Sequence, residues 1–214
     1  MTPRPHAFFI TGTDTDVGKT YITTQYAKHF LAKGKRVAIY KPVQTGVRCF
    51  EEGDAFHCAK QLHFSPNLHV ESSYCFEAPA APSVCEGSHL IDFEVIQARC
   101  LALQAAYDVL LVEGAGGVMC PIKDTLCMVD LMACLKLPAV VVSRYTLGTL
   151  NHTLMSLDSL KRHGVPVSEL VLSEGGTPLS ESVKNSHAVQ TVKQAIQHFY
   201  PDLTIREEAH HIVD

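Results

Sequence analysis

Apolar residues along this chain fall into short runs separated by stretches with helical spacing. Ala7–Thr11 (AFFIT), Val37–Lys41, Val109–Glu113 (VLLVE) and Ala139–Ser143 (AVVVS) are apolar at consecutive positions, which marks strands buried on both faces. Leu170–Ser173 is a weaker run of the same kind. Helices are predicted over Tyr21–Lys33, closed by Gly34, and over Asp54–Leu62, entered at an acidic residue. Phe93, Ile96, Cys100 and Leu103 recur at helical spacing and predict a helix over Asp92–Ala106. Met128–Leu137 and Leu150–His163, the latter closed by Gly164, read the same way. Val189, Val192, Ile196 and Phe199 put one apolar stripe on a last helix near Ser182–Tyr200. Residues 63–91 carry Pro66, Pro79 and Pro82 and read as an irregular insertion over one edge. Leu203–Ile205 is too polar to assign as a strand.

Fully apolar strands alternating with helices predict an α/β fold, a mostly parallel sheet with helices on both faces. Ligands in such sheets bind beyond the carboxyl ends of the strands. The polar and glycine-rich segments Gly12–Lys19, Pro42–Asp54, Gly114–Thr125 and Ser173–Pro178 follow strand ends, as that rule requires.

The chain has 214 residues and shows no internal repeat or linker, so residues 1–214 are expected to form a single domain. Eighteen basic and 22 acidic residues leave a formal charge of −4, which excludes nucleic-acid binding through bulk charge. No run of eighteen apolar residues is present and the first six residues have no apolar core, so neither a membrane partner nor a secretory signal is expected. None of the eight Cys forms a C-x-x-C pair, and they read as reduced thiols of a cytoplasmic protein. His57, His63 and His69 are six apart, unlike a helical metal-binding pair.

Three strand ends carry candidate chemistry. Thr11-Gly12-Thr13-Asp14-Thr15-Asp16-Val17-Gly18-Lys19-Thr20 lies between the first strand and the first helix, the setting of a P-loop. Backbone N–H groups there make a concave positive site for phosphate; Lys19 supplies a point charge to the β/γ-phosphates and the Thr20 hydroxyl a ligand for Mg²⁺. Five residues rather than the standard four separate Gly12 from Gly18, so an ordinary strand–turn–helix is the alternative reading. Val112-Glu113-Gly114-Ala115-Gly116-Gly117 ends the strongest strand with a carboxylate, the usual second anchor for Mg²⁺ in such enzymes. Lys41-Pro42-Val43-Gln44-Thr45-Gly46 brings a second lysine and a hydroxyl to the same edge, and Asp54 follows as a further Mg²⁺ candidate or a helix cap.

With L-G-T-L-N-H at 147–152, these motifs occur in the order found in dethiobiotin synthetases, which residues 7–165 resemble. That resemblance implies an ATP- and Mg²⁺-dependent ligase of biotin biosynthesis acting on 7,8-diaminopelargonic acid and CO₂ or bicarbonate. The five-residue loop gap is normal for that family. By the same resemblance, Asp16, Val17, Gly18, Lys19, Thr20 and Tyr21 line the triphosphate, and Thr20, Asp54 and Glu113 hold Mg²⁺. Lys41 corresponds to the catalytic lysine, working with Lys19, and Thr45 to a substrate-contacting hydroxyl. Thr13, Gly114, Ala115 and Gly116 lie along substrate and phosphates. Leu147, Gly148 and Asn151 match a segment that closes the diamine site from the second subunit of a homodimer. The family's base-binding strand usually ends in Asn; here it reads Val171-Leu172-Ser173-Glu174. Ser173 and Glu174 are the corresponding nucleotide positions. A serine lacks the paired donor and acceptor of an amide, so weak selectivity among nucleobases is expected. The competing reading is a P-loop ATPase switch of the partitioning type. Such proteins commonly carry an extra lysine early in the loop, where this chain has Thr13-Asp14-Thr15, and do not require Lys41 with Thr45.

Overall fold

Strands that are apolar at every position have no solvent face, and the fold buries them in the middle of one sheet. The computed structural model describes residues 6–145, 147–173 and 187–208. In chain order the described elements are β1 (His6–Gly12), α1 (Lys19–Leu31), β2 (Val37–Thr45), α2 (Asp54–Gln61), β3 (Leu68–Phe76), α3 (Phe93–Ala106), β4 (Val109–Glu113), β5 (Pro121–Lys123), β6 (Leu126–Cys127), α4 (Met128–Leu135), β7 (Ala139–Arg144), α5 (Thr149–Arg162), β8 (Val167–Ser173), α6 (His187–Phe199) and β9 (Ile205–Glu208). Seven strands form one sheet in the order β3-β2-β4-β1-β7-β8-β9, parallel throughout. β5 and β6 pair antiparallel as a separate two-stranded hairpin.

Each face of the sheet has its own core. Ile10, Ile39, Leu111 and Val142 pack under Ile22 and Ala27 of α1 and Ala55 and Cys58 of α2. Phe9, Tyr40, Val112 and Val141 face the other way, onto α3, α4, α5 and Ile196 of α6. Successive residues of one strand thus serve opposite layers, the period-2 geometry that makes central strands apolar throughout.

The expected strand and helix alternation is present, with several corrections. β2 extends four residues beyond Lys41, through Pro42. Proline is tolerated there because β4 pairs with β2 only as far as Tyr40, so one side of the ladder asks for no further donors. The segment 63–91 is not wholly irregular: it contains β3, which pairs with β2 from Val37↔Leu68 to Thr45↔Phe76. β9 likewise forms at Ile205–Glu208, starting at the last residue of the 203–205 run that is too polar to assign as a strand. Helix α1 begins at Lys19, two residues earlier than its periodicity suggests. Phe199 ends α6 64% exposed rather than joining the apolar stripe, which Val189, Val192 and Ile196 carry. Residues 182–186, expected in that helix, lie outside the described residues.

Candidate active site

The phosphate loop is shaped by two glycines with different tasks. Gly18 takes φ 100°, the left-handed region where a Cβ would be strained, and turns the chain into α1. Gly12 is needed for close approach, since a Cβ there would meet Val17 Cγ2 at 2.6 Å and the Asp14 carbonyl oxygen at 2.9 Å. Asp16 also sits at positive φ, 56°, which a short polar side chain tolerates better than most. The N-cap residue of α1 is Gly18, which has no side chain to cap the helix, and a helix N-terminus of this kind favours an anion.

Beside this helix terminus lies a cavity of about 450 Å³. Asp16, Gly18, Lys19, Thr20 and Tyr21 form one wall, and Lys41, Thr45, Asp54, Ala115 and Gly116 complete it with Thr15 and Gln44. The loops after β1 and β4, the last residues of β2 and the start of α2 therefore converge at the carboxyl edge of the sheet. Glu113 lies just beneath, 1% exposed, at the end of β4. Val17 is fully buried in the core and is not part of the cavity wall. Gly114 packs against Phe9 and Met128, and its carbonyl oxygen lies 3.4 Å from Lys41 Nζ.

Lys41 is 3% exposed and spends its three donors on Asp54 Oδ2, Glu113 Oε1 at 2.9 Å and the Gly114 carbonyl. Burial works against its charge, but Glu113 and Asp54 outweigh burial and raise its pKa above the ordinary lysine value. Burial also opposes ionisation of Asp54, and Lys41 beside it overrides this and holds the carboxyl below its usual range. Among the described residues Lys19 has no carboxylate partner of this kind. Its Nζ donates to the Asp14 carbonyl at 2.9 Å, and burial, then the charge of Lys41, bring its pKa down to about 8.

Glu113 is held from α1 as well. Thr20 Oγ1 donates to Oε1 at 2.8 Å. Thr23 Oγ1 lies 2.7 Å from Oε2 and 2.9 Å from the Lys19 carbonyl; with one proton to give, it favours the carboxylate, the stronger acceptor. Gln44 Oε1 accepts the Asp54 N–H at 2.9 Å and fixes the start of α2. Thr23 and Gln44 were not singled out in the sequence. Thr23 has a signal there, being one helical turn beyond Thr20 on the same face; Gln44 has none apart from its place in the Lys41–Gly46 motif.

Thr20, Asp54 and Glu113 all offer oxygen donors, and Lys41 and Thr20 meet at a single oxygen of Glu113. Among the described residues no cluster of three or more His, Cys, Asp or Glu would hold a metal alone. That combination fits Mg²⁺, which typically takes one or two carboxylates and completes its shell with water and substrate phosphates.

Thr13, Gly148, Asn151 and Ser173 do not line this cavity. Thr13 borders a second cavity of about 370 Å³, walled by Gly116, Val118, Met119, Cys120 and, from α5, His152, Met155 and Ser156. Leu147, Gly148 and Asn151 are exposed at the start of α5. Ser173 is fully buried at the end of β8, in register with Arg144 and Glu208, and does not line the 450 Å³ cavity. Glu174 lies outside the described residues.

A family model described as an AAA domain matches residues 6–203. The ATP-dependent dethiobiotin synthetase BioD of Paramagnetospirillum magneticum is 37% identical over 191 residues, covering 89% of this chain and 82% of that protein. The protein of the same name from Methanocaldococcus jannaschii is 36% identical over 192 residues, covering 87% of each. Among solved structures, a ParA family ATPase from Chlorobium tepidum superposes with a TM-score of 0.61 at 15% identity, covering 97% of this chain and 85% of that one. At that identity the likeness establishes the fold and leaves the partitioning-ATPase reading without support of its own. The chain thus belongs to the ATP-dependent dethiobiotin synthetase family, and it is an enzyme of the ligase class.

Proposed function

We propose that this chain closes the ureido ring of dethiobiotin from 7,8-diaminopelargonic acid, CO₂ or bicarbonate and ATP. The observation that carries the reading is Lys41, buried and held charged between Glu113 and Asp54 beside a phosphate loop. One amine of the diamine takes up CO₂ as a carbamate. A carbamate oxygen attacks the γ-phosphorus, the bond to the β-phosphate oxygen breaks, and ADP leaves. The product is a carbamic–phosphoric anhydride. The second amine attacks its carbonyl carbon, phosphate departs, and the cyclic urea forms with release of protons. A carbamate is a poor electrophile, and phosphorylation supplies its leaving group.

Two anions must meet in this scheme, and catalysis is chiefly positioning and charge stabilisation. The amides at the start of α1 bind and orient the triphosphate. Lys19 moves from the Asp14 carbonyl onto the phosphates. Lys41 keeps its proton and offers its charge to the carbamate and to the phosphoryl oxygens. Thr45 orients the diamine from the cavity wall. Thr20, Asp54 and Glu113 would hold Mg²⁺, which supplies charge neutralisation on the phosphates. No covalent enzyme intermediate is required.

The second cavity suits the aliphatic chain of the substrate, with Val118, Met119 and Met155 on its walls and Thr13 at its junction with the loop. The exposed Leu147–Asn151 segment is proposed to complete the diamine site of a partner subunit in a homodimer. Incubation with diamine, bicarbonate, Mg²⁺ and ATP, followed by mass spectrometry, tests the proposal. A product of the cyclised mass, dependent on all four components, is expected; ATP hydrolysis without it would refute the reading.

A further inference from the structure

Arg144 is the last residue of β7 and has no part in the scheme above. Its guanidinium donates to the Asp14 carboxylate in the phosphate loop at 2.9 Å. Asp14 is restrained at three further points. Its carboxylate accepts the Thr15 N–H at 2.7 Å, and its carbonyl accepts Lys19 Nζ at 2.9 Å. Its amide nitrogen packs so closely on Gly117 that a Cβ there would approach to 3.3 Å.

Behind Arg144 a chain of hydroxyls leads into α5. The Thr149 hydroxyl donates to the Arg144 carbonyl. Ser143 Oγ lies 3.0 Å from Thr149 Oγ1, 2.8 Å from Thr153 Oγ1 and 3.4 Å from Thr13 Oγ1. The phosphate loop and the first turn of α5 are thus joined through the end of β7.

The ion pair is partly open to solvent, with side chains 34% and 51% exposed, and pairs of this kind contribute little to stability. Its consequence is geometric. The Asp14 carbonyl decides where the Lys19 ammonium rests, and the Asp14 carboxylate is anchored by Arg144.

We infer that Arg144 is a positioning residue for the nucleotide chemistry. Through Asp14 it keeps Lys19 clear of Glu113 and Asp54, which Lys41 occupies, and ready for an incoming phosphate. The inference rests on the nucleotide site of the proposed function, and direct ATP binding tests it whether or not ring closure occurs.

The experiment compares the parent chain with Arg144→Ala, Arg144→Lys, Asp14→Asn and the Arg144→Ala/Asp14→Asn double variant. ATP dissociation constants are read by calorimetry, steady-state constants by dethiobiotin formation, and folding by thermal melting. Arg144→Ala and Asp14→Asn are each expected to weaken ATP binding roughly tenfold or more, the size of a lost charge-assisted hydrogen bond from Lys19 to phosphate. The double variant should bind ATP no worse than either single one, because both remove the same contact. Arg144→Lys should recover part of the loss. Melting should stay within about 2 °C of the parent, as for an exposed pair. Multiplying losses in the double variant, ATP binding within twofold of the parent in Arg144→Ala, or melting that falls in step with affinity would each overturn the inference. A parent that binds ATP and forms no product counts against the proposed function, while the binding cycle still decides the role of Arg144.

Discussion

Lys41 carries a full charge where water hardly reaches, and that arrangement is unfavourable unless every donor is matched. Glu113, Asp54 and the Gly114 carbonyl match all three. Removing one partner of such a group leaves the others uncompensated, so Lys41→Met is a cleaner probe than Lys41→Glu. Lys41→Met should lower kcat by at least about a hundredfold and change the ATP dissociation constant only a few-fold, because its charge is needed most as the phosphoryl group transfers. Lys19→Met should weaken both. Turnover near the parent value in Lys41→Met would remove the lysine from the mechanism. Lys19 gives a second test, through pH. It titrates near 8 in the free chain because burial and Lys41 disfavour its charge. A triphosphate restores that charge, so ATP binding takes up a proton where the free lysine is neutral. Affinity should hold below pH 8 and fall as pH rises above it, approaching about tenfold per pH unit. Calorimetry in buffers of different ionisation enthalpy reads the uptake directly, and its absence at pH 8.5 to 9 would contradict the assignment. The acidic and basic members of this cluster were legible in the sequence because each stands at a strand end or helix start with a recognisable neighbour. Gln44 and Arg144 were not, since what marks them is a contact across 10 and 130 positions of chain.

At the scale of elements, α1 both binds phosphate and holds the base of the site. Thr20 and Thr23 reach the two oxygens of one carboxylate on β4, so the helix and the strand are locked one turn inside the loop. Thr23→Val keeps the shape and removes the donor to Glu113 Oε2. The unsatisfied, buried carboxylate oxygen should cost about 1–3 kcal/mol. Chemical denaturation checks this, and a loss below about 0.5 kcal/mol would show that water or another donor takes the place of Thr23. The central strands β1, β4 and β7 were readable because both faces are buried and their sequences are uniformly apolar. β3 and β9 were not, and both are edge strands. His69, Glu71, Ser72 and Ser73 give β3 a polar look, and Glu71 is engaged by Arg99 and His69 rather than by solvent alone. β9 reads Ile205-Arg206-Glu207-Glu208, with Arg206 paired to Glu169 and Glu208. Charged edges deter pairing with other chains, and the same charges conceal the strand from a hydrophobicity pattern.

At the scale of the whole molecule, the phosphate loop, Lys41 and Glu113 meet in one cavity, while the Leu147–Asn151 segment stands outside it. No helix among the described residues is long and apolar enough to cross a membrane. A site completed by a second subunit predicts that sedimentation finds a dimer at micromolar concentration. It also predicts that inactive Lys41→Met and Asn151→Ala chains regain part of their activity when mixed, because one of the two composite sites in a mixed dimer is intact. A fully active monomer, or no recovery on mixing, would contradict the shared site. The central claim is narrower, that a carbamate oxygen attacks ATP in the cavity of Lys41 and Lys19. It is tested most directly by following ¹⁸O from labelled bicarbonate in a rapid single turnover with diamine, Mg²⁺ and ATP. Attack by the carbamate leaves one bicarbonate oxygen on each phosphate released alongside each dethiobiotin formed. Phosphate carrying only oxygen from water, at the same yield of product, would contradict it.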